Sequence, residues 1–453
     1  MEELKRVVDF IKDHGEFTVV CHYDADGLAA GAIVSSTLDR LGKKNRVIPT
    51  KQMDSERIKL IKSGKNHIFA DFGSGQIPVL EEHLQDYAII DHHATLGTTE
   101  KPHFNAHLVG WDGATEISGA GMAYVVAREF GFKDLAAIAI VGAVGDMQDS
   151  SGQLVGFNRE ILADGVKAGV LDSYKDIRLF GRHSRPLTQF IAYCADPIFP
   201  GLSGDEDASN AFITSLGLPI KRGEEWLRYS SLSKEQQKHL ISALYVYGKQ
   251  HDVPESYLKS LIGEVYELPR EDEKSFLRDA KDFSTLLNAC GRHEQGLIGL
   301  EVAKGNRAEF YTEAEALLLK HRRLLRDGID WAKANGAKDQ GQFYLLDAGE
   351  KIKDTLIGVI AGMLYGAQVI PQDKPIIGLS YEKDEDKMKA SGRATWPIVR
   401  SGVHLGKAMK AAAAAVGGEG GGHNIAAGAH FPPENREAFL AALNAEIEKQ
   451  LRH

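Results

Sequence analysis

Histidines and aspartates gather at four places in the first third of the chain, each where an apolar run ends. The first is His22-Tyr23-Asp24-Ala25-Asp26-Gly27, after Phe17–Cys21. The second is Asp71, which closes the run HIFAD and is followed by Phe-Gly-Ser-Gly. The third is Asp91-His92-His93, after YAII, and the fourth is Gly145-Asp146-Met147-Gln148-Asp149, after Ala136–Val144. Carboxylate and imidazole without thiolate suit Mn²⁺, Mg²⁺ or a similar divalent ion. The carboxylates suffice for two ions with one acid shared. Two such ions about 3.5–4 Å apart activate water near neutral pH and offset the charge that builds on phosphoryl oxygens. The chemistry implied is metal-assisted hydrolysis of a phosphoester.

Each acid has an ordinary alternative. Asp26 could cap the helix that follows it, and an acid at a strand end often only meets solvent. Four such endings within one α/β pattern outweigh those separate explanations. Cys21 adjoins the first motif but points to the opposite strand face, so it is expected in the core and not as a ligand.

The elements that must position these groups are legible from periodicity. On an extended chain, residues i, i+2 and i+4 share one face, so His22, Asp24 and Asp26 can converge at the carboxyl end of a strand. Ligands bind at that end in open α/β sheets. Strands are expected at Phe17–Cys21, Arg46–Pro49, His67–Asp71 and Tyr87–Asp91, with helices at Gly27–Leu41, Ala120–Phe130 and Leu135–Val144. This alternation predicts an α/β domain with a parallel sheet over 1–185. Residues 186–311 read as a helical insertion, with helices at Lys234–Lys249 and Glu255–Tyr266. A long connecting helix, Thr312–Asn335, dominates 312–340, with Gly328 as its weak point and Gly336 after its end. A smaller α/β domain follows over 341–453. Its strands are expected at Gln342–Asp347 and Ala426–Phe431, its helices at Thr355–Tyr365 and Val403–Val416, and a hairpin at Ile376–Tyr381 and Met388–Thr395.

The chain has 453 residues and so calls for two or three domains. Its net charge of −9 counts against non-specific duplex binding, which rests on a basic surface. It is compatible with a nuclease, because metal-holding acids raise the formal negative charge that bound cations offset. No apolar run reaches the roughly 18–20 residues of a membrane span, and the first residues lack the apolar core of a signal peptide. Three cysteines without metal or redox spacing, Cys21, Cys194 and Cys290, argue for a reducing cytoplasm.

The last domain carries two further candidates. Lys389-Ala390-Ser391-Gly392-Arg393 sits on an expected strand, and Arg393 could grip a phosphate with two parallel hydrogen bonds. Gly417 to Asn424 (GGEGGGHN) follows an alanine-rich helix; its glycines would let backbone N–H groups approach an anion. A flexible linker is the alternative, but a linker seldom includes a histidine such as His423 or leads straight into a strand. Arg178, Arg182, His183 and Arg185 form a basic run that could line a strand channel, hold a 5′ end or form a solvated face. Arg322, Arg323 and Arg326 read as a solvated stripe. Tyr229, Tyr245, Tyr247 and Tyr257 could stack bases, but are expected to pack helices.

HYDADG, Asp71, the DHH at 91–93 and the GD at 145–146 together resemble the DHH phosphoesterase superfamily. The GGGH of Gly420, Gly421, Gly422 and His423 resembles the glycine-rich motif of the domain that accompanies it. The order and spacing look most like archaeal RecJ-type single-strand exonucleases, and are also similar to the eukaryotic replicative helicase cofactor of that superfamily. The resemblance spans about residues 17–150 and 388–430. It implies that His22, Asp24 and Asp71 hold one ion, that Asp26, Asp71, His92 and Asp146 hold the other, and that Asp71 bridges them. Asp91 would orient the neighbouring histidine, and His93 would face the scissile phosphate as a donor or acid. Ser391, Arg393, Gly420, Gly421, Gly422 and His423 would bind substrate.

The resemblance further implies two divalent ions, Mn²⁺ ahead of Mg²⁺ or Co²⁺, and hydrolysis of single-stranded DNA or RNA to mononucleotides in replication or repair. One alternative is a phosphodiesterase for very short oligonucleotides, cyclic dinucleotides or phosphoadenosine phosphate. Another is a replisome scaffold whose insertion docks a GINS-type complex.

Overall fold

The computed structural model describes residues 2–452 apart from 52, 54, 195–196, 367–368 and 384. They form two compact units, Met1–Leu319 and Lys320–His453. In the first unit, five strands form a fully parallel sheet: β1 (Glu16–His22), β2 (Lys44–Thr50), β3 (His67–Ala70), β4 (Tyr87–Asp91) and β5 (His103–Asn105). Their order is β2-β1-β3-β4-β5, with the register Val19↔Val47, Val19↔Ile68 and Ile68↔Ala88 at the centre. β3 and β4 are buried at every residue, as parallel strands covered on both faces must be. Val19, Cys21, Ile68 and Ile90 face one layer of helices, while Val20, Phe69 and Ile89 face Ile77 and Leu80 on the other side. Each aliphatic chain so buried contributes about 1.5–3 kcal/mol. Cys21 lies in the core, as expected.

Glu2–Asp13 packs toward β5 on the first face. Ala25–Arg40 and Gly119–Glu129 lie on the sheet there, and Ala136–Gly145 packs against both of them. Their alanines and glycines leave them buried almost all round, which lets three backbones lie close behind the strand ends.

The middle of the chain differs from a purely helical block. Residues 177–261 close an apolar cluster of their own, including Phe190, Phe199, Leu240, Leu244 and Leu258. Tyr229 is buried in it, and Tyr245, Tyr247 and Tyr257 pack against it, so these tyrosines are packing residues. β6 (Asp172–Ile177) leads into this part, β7 (Lys221–Arg222) and β8 (Glu225–Trp226) form a small ribbon within it, and β9 (Ile262–Glu267) leads out. The helix expected over Glu255–Tyr266 ends at Ser260 instead. Ile262–Glu267 pairs antiparallel with β6, Tyr174 opposite Val265, and this distant partner overrides the local helical pattern. Ala280–Arg292 and Gly296–Ala303 then return Phe283, Leu286, Leu287 and Leu300 to the core behind the parallel sheet.

The long helix runs from Glu309 to Asn335. Its early residues Ala314 and Leu318 belong to the first core, and Ala332 to that of the second unit. Gly328, expected as a weak point, lies in continuous helix. A Cβ there would sit 2.3 Å from Ile360 Cδ1, so glycine serves close packing.

The second unit is a mixed six-stranded sheet of β10 (Lys338–Asp339), β11 (Tyr344–Gly349), β12 (Ile376–Glu382), β13 (Lys387–Arg393), β14 (Glu419–Gly422) and β15 (Ala426–Phe431). The order is β10-β11-β12-β13-β15-β14. The expected hairpin is present, with Ile376 opposite Arg393 and Glu382 opposite Lys387. The glycine-rich segment differs from an anion-binding loop: Glu419–Gly422 is an edge strand paired with β15. Its glycines admit the helix Leu405–Ala414, since a Cβ on Gly420 would lie 2.6 Å from the Met409 carbonyl oxygen. The chain is thus an α/β protein with a parallel-sheet unit, an insertion, a long connecting helix and a smaller α/β unit.

Candidate metal centre

His22 is the last residue of β1, and Asp24 caps the next helix by accepting a hydrogen bond from the Gly27 N–H at 3.0 Å. Asp26 lies in that helix's first turn, fully buried. It caps a helix other than the following one: its two oxygens accept from the N–H groups of Gly119 at 2.6 Å and Ala120 at 3.0 Å. The positive amino end of Gly119–Glu129 therefore stabilises this carboxylate. Asp71 follows β3 with φ of 56°, a left-handed conformation that aspartate tolerates better than most residues. Its N–H is anchored on the Ile90 carbonyl at 2.9 Å. Asp91 ends β4, His92 and His93 follow, and Asp146 caps the carboxyl end of Ala136–Gly145.

These strand and helix ends meet. His92 Nε2 lies 3.1 Å from Asp71 Oδ1, 3.5 Å from Asp146 Oδ2 and 3.7 Å from Asp26 Oδ2. His22 Nδ1 lies 2.8 Å from Asp24 Oδ2 and 3.9 Å from Asp71 Oδ2. Asp71 thus stands between a His22–Asp24 group and an Asp26–His92–Asp146 group, with His93 beside it at 3.7 Å. Asp71 Oδ1 and His92 Nε2 are buried and make no aligned hydrogen bond, and neither does the buried His22 Nδ1, although Asp24 Oδ2 lies 2.8 Å from it. Leaving a buried polar atom unpaired costs about 1–3 kcal/mol. His22 Nδ1 faces one oxygen of Asp71 and His92 Nε2 the other, so these atoms fit divalent cations on either side of Asp71, which would take their lone pairs.

The walls are built to the same size. A Cβ on Gly119 would lie 2.3 Å from Asp71 Oδ1, and one on Gly142 would lie 2.4 Å from Asp26 Oδ1. Only glycine lets the two helices close on these carboxylates.

The electrostatics describe acids crowded without enough positive charge. Burial and the neighbouring Asp26 raise Asp71 well above the usual carboxylate range, and the same two causes raise Asp146 to about 8. Burial would lower His92, but Asp26 and Asp146 outweigh it and raise it. His93 is half exposed, and its Nδ1 lies 2.9 Å from Asp91 Oδ1. Burial opposes its charge, yet that hydrogen bond and Asp71 raise it to about 9. Asp91 is lowered despite burial, because the His93 hydrogen bond and charge favour its anion.

Several supporting residues carry no signal in the motifs. His92 Nδ1 lies 2.6 Å from the Gly113 carbonyl, which fixes the proton there and turns the Nε2 lone pair toward the acids. The same carbonyl accepts from Gln148 Nε2 at 2.9 Å, and Gln148 Oε1 accepts from Asn158 Nδ2 at 2.7 Å. Gln148 lies two residues after Asp146 in GDMQD, which is the one clue the sequence offers. Asp91 Oδ2 accepts from the Ser74 N–H at 3.0 Å, and Asn105 holds both Ser74 Oγ and the His93 carbonyl at 2.9 Å.

The basic run is not a solvated face. Arg182 is buried, donating to Asp279 at 2.6 Å and lying 3.3 Å from Asp176 and Glu267. His183 Nε2 lies 2.7 Å from Glu267, and Arg178 donates to Asp149 at 2.6 Å. Arg185 is buried with its guanidinium over the Phe180 ring.

In the second unit, Ser391 and Arg393 share the face of β13 that meets Asp354–Gly366: a Cβ on Gly358 would lie 3.0 Å from both side chains. Arg393 is opposite Ala426, and Gly422 opposite Ala427, so Arg393 and the exposed His423 lie at the same end of the sheet. Gly420 and Gly421 sit further along the edge strand.

A DHH-CID domain model matches residues 179–262, and a DHHA1 domain model matches 342–449. An uncharacterized protein of Methanocaldococcus jannaschii is 30% identical over 468 aligned positions, covering 100% of this chain and 99% of the relative. Among solved structures, RecJ of Thermus thermophilus in complex with Mn²⁺ is similar at a TM-score of 0.60 and 16% identity, over 99% of this chain and 55% of that one. Exonuclease RecJ bound to manganese is similar at 0.60 and 17%, over 99% and 94%. CDC45 of Entamoeba histolytica is similar at 0.66 and 14%, over 99% and 98%. With both domain matches and an acid–histidine cluster at the strand ends, the chain belongs, together with its full-length relative, to the DHH superfamily of metal-dependent phosphoesterases, and it shares the fold of the RecJ structures.

Proposed function

We propose that the protein is an exonuclease that hydrolyses phosphodiester bonds of single-stranded DNA or RNA to mononucleotides, working in the cytoplasm in replication or repair. The observation that carries this reading is that His22 Nδ1 and His92 Nε2, buried and without an aligned hydrogen bond, flank the two oxygens of the buried Asp71. His22, Asp24 and Asp71 would hold one divalent ion, and Asp26, Asp71, His92 and Asp146 a second, Mn²⁺ ahead of Mg²⁺ or Co²⁺. Bound ions supply Lewis acidity and an activated water. Gly113 and Gln148 keep the His92 ring turned inward. Asp91 holds Nδ1 of His93 and would favour its imidazolium, whose Nε2–H would donate to a phosphoryl oxygen. Residues 1–185 would carry this chemistry, and Ser391, Arg393 and the Gly420–His423 segment of 341–453 would bind substrate. The exonuclease name of a structural relative supports the reading.

The test is digestion of matched DNA and RNA strands, labelled at each end in turn, with Mn²⁺ and with Mg²⁺. Mononucleotides are expected from wild type and none from Asp71→Ala. Absence of mononucleotides with every metal and strand would overturn the proposal. A rate that collapses beyond a few nucleotides would instead favour a short-oligonucleotide or cyclic-dinucleotide phosphodiesterase.

The DHH-CID match and the likeness to CDC45 support a second, compatible role: docking of a replisome component of the GINS type through the insertion. Trp226 and Val246 are exposed there. Recovery of such a partner should fall in a Trp226→Ser, Val246→Ser variant; undiminished recovery would remove these residues from the contact.

A further inference from the structure

Apart from the metal centre, a polar cavity of about 280 Å³ opens where β6 and β9 meet the start of the helix Lys234–Gln250. It shares no residue with the acid–histidine cluster. Tyr174, Arg182, Arg228, Lys234, Lys274 and Arg278 contribute to its lining. Its two inner carboxylates are already engaged. Asp176 meets Arg182 at 3.3 Å and accepts from Tyr229, while Glu267 meets Arg182 at 3.3 Å and His183 at 2.7 Å. Arg228, Lys234, Lys274 and Arg278 add four more cations: Arg278 Nη1 donates to the Pro269 and Glu271 carbonyls and its Nε lies near Glu267, Arg228 and Lys274 face Glu225, and Glu273 is the further acid of the lining.

Two of these cations have a donor without an acceptor. Arg228 Nε and Arg278 Nε are buried and make no hydrogen bond. Arg278 Nε is 3.6 Å from Glu267 Oε2, beyond hydrogen-bond reach. Guanidinium donors are planar and rigid, and they match the oxygens of a phosphate better than a single carboxylate oxygen does. Lys234 Nζ stands 5.4 Å over the Tyr174 ring, a compact charge at the same opening. It begins a seventeen-residue helix capped by Ser233, whose amino end adds positive potential. The volume of about 280 Å³ lies just below the roughly 300–1,000 Å³ common for ligand cavities and suits a ligand no larger than a mononucleotide.

We propose that this cavity binds the phosphate of a small phosphate monoester, no larger than a mononucleotide, at a site separate from the metal centre. The assignment stands independently of the nuclease reading, since no metal-holding residue takes part.

Isothermal titration of the full-length protein in EDTA, with inorganic phosphate and with adenosine 5′-monophosphate, tests it. Saturable one-to-one binding is expected, with none for adenosine. The Arg228→Gln, Lys234→Gln double variant should bind about tenfold or more weakly, the loss expected for hydrogen bonds to charged groups. Asp71→Ala should bind as wild type does. Should the double variant fail to fold, Lys274→Gln replaces it; that side chain is exposed, and weaker binding is again expected. The proposal is overturned if neither ligand saturates, if the lining variants bind unchanged, or if Asp71→Ala abolishes binding. It is equally overturned if a 5′-phosphorylated trinucleotide binds while the mononucleotide does not, which would assign the cavity to the end of a strand.

Discussion

The aspartates of the candidate metal centre are held in place by the protein itself. Asp24 caps one helix, Asp26 another, and Asp71 hangs from the Ile90 carbonyl. The cluster is therefore assembled before any cation arrives, and its cost appears as a pH dependence. Asp146 titrates near 8 in the folded chain, against an unfolded value of about 3.9. A group raised on folding stabilises the fold below its unfolded pKa, and that contribution is lost as pH rises through the folded pKa. Asp71 acts in the same direction, and so does His93, from about 6.5 up to about 9. Asp24 and Asp91 are lowered, so their contributions vanish only in strong acid. The metal-free protein should therefore lose Tm between about pH 5 and 9, and Mn²⁺ should raise Tm most at the alkaline end. Scanning fluorimetry in EDTA and in Mn²⁺ measures both. A flat metal-free profile with an equal Mn²⁺ shift at every pH would contradict this account. The Gln148 link yields a second expectation at this scale. Gln148→Ala should loosen the Gly113 carbonyl that orients His92 and weaken Mn²⁺ binding about 10–100-fold, with little change in circular dichroism. Unchanged affinity by calorimetry would show that Gly113 alone suffices.

Among the elements, the Arg182 hub joins segments far apart in the chain. It ties Asp176 on β6, Glu267 on β9 and Asp279, which caps the helix Ala280–Arg292. Burial alone would raise Glu267, but hydrogen bonds from His183 and Tyr174 and the Arg182 charge hold it at about 2. Removing the cation would strand buried carboxylates, so Arg182→Met should cost about 3–5 kcal/mol, as broken buried ion pairs do. Urea unfolding checks this; a loss below about 1 kcal/mol, the range of surface pairs, would mean that water or a rearranged partner takes over. The helix expected over Glu255–Tyr266 failed for a related reason. Its first half is helical by local preference, while Ile262–Glu267 answers to β6, some ninety residues away. No window of sequence contains both strands.

For the molecule as a whole, chemistry and substrate grip are assigned to different units. Arg393→Ala should raise KM for a single strand about tenfold or more, the loss of a charge-assisted contact. Mn²⁺ affinity should stay as in wild type, because every metal candidate lies in the other unit. A fall in Mn²⁺ affinity together with the rise in KM would refute that division of labour.

The sequence by itself determined the parallel α/β plan, the strand ends that carry acids and histidines, and the buried place of Cys21. These follow from period, run length and residue chemistry, which are local. Only the tertiary structure decided that Asp26 caps Gly119–Glu129, that Gln148 and Gly113 orient His92, and that Arg182 is a buried hub. It also decided that Glu419–Gly422 is an edge strand closed by a helix, and that Gly328 makes room for Ile360. Each depends on a partner remote in the chain, and a partner's position is settled by packing many side chains at once.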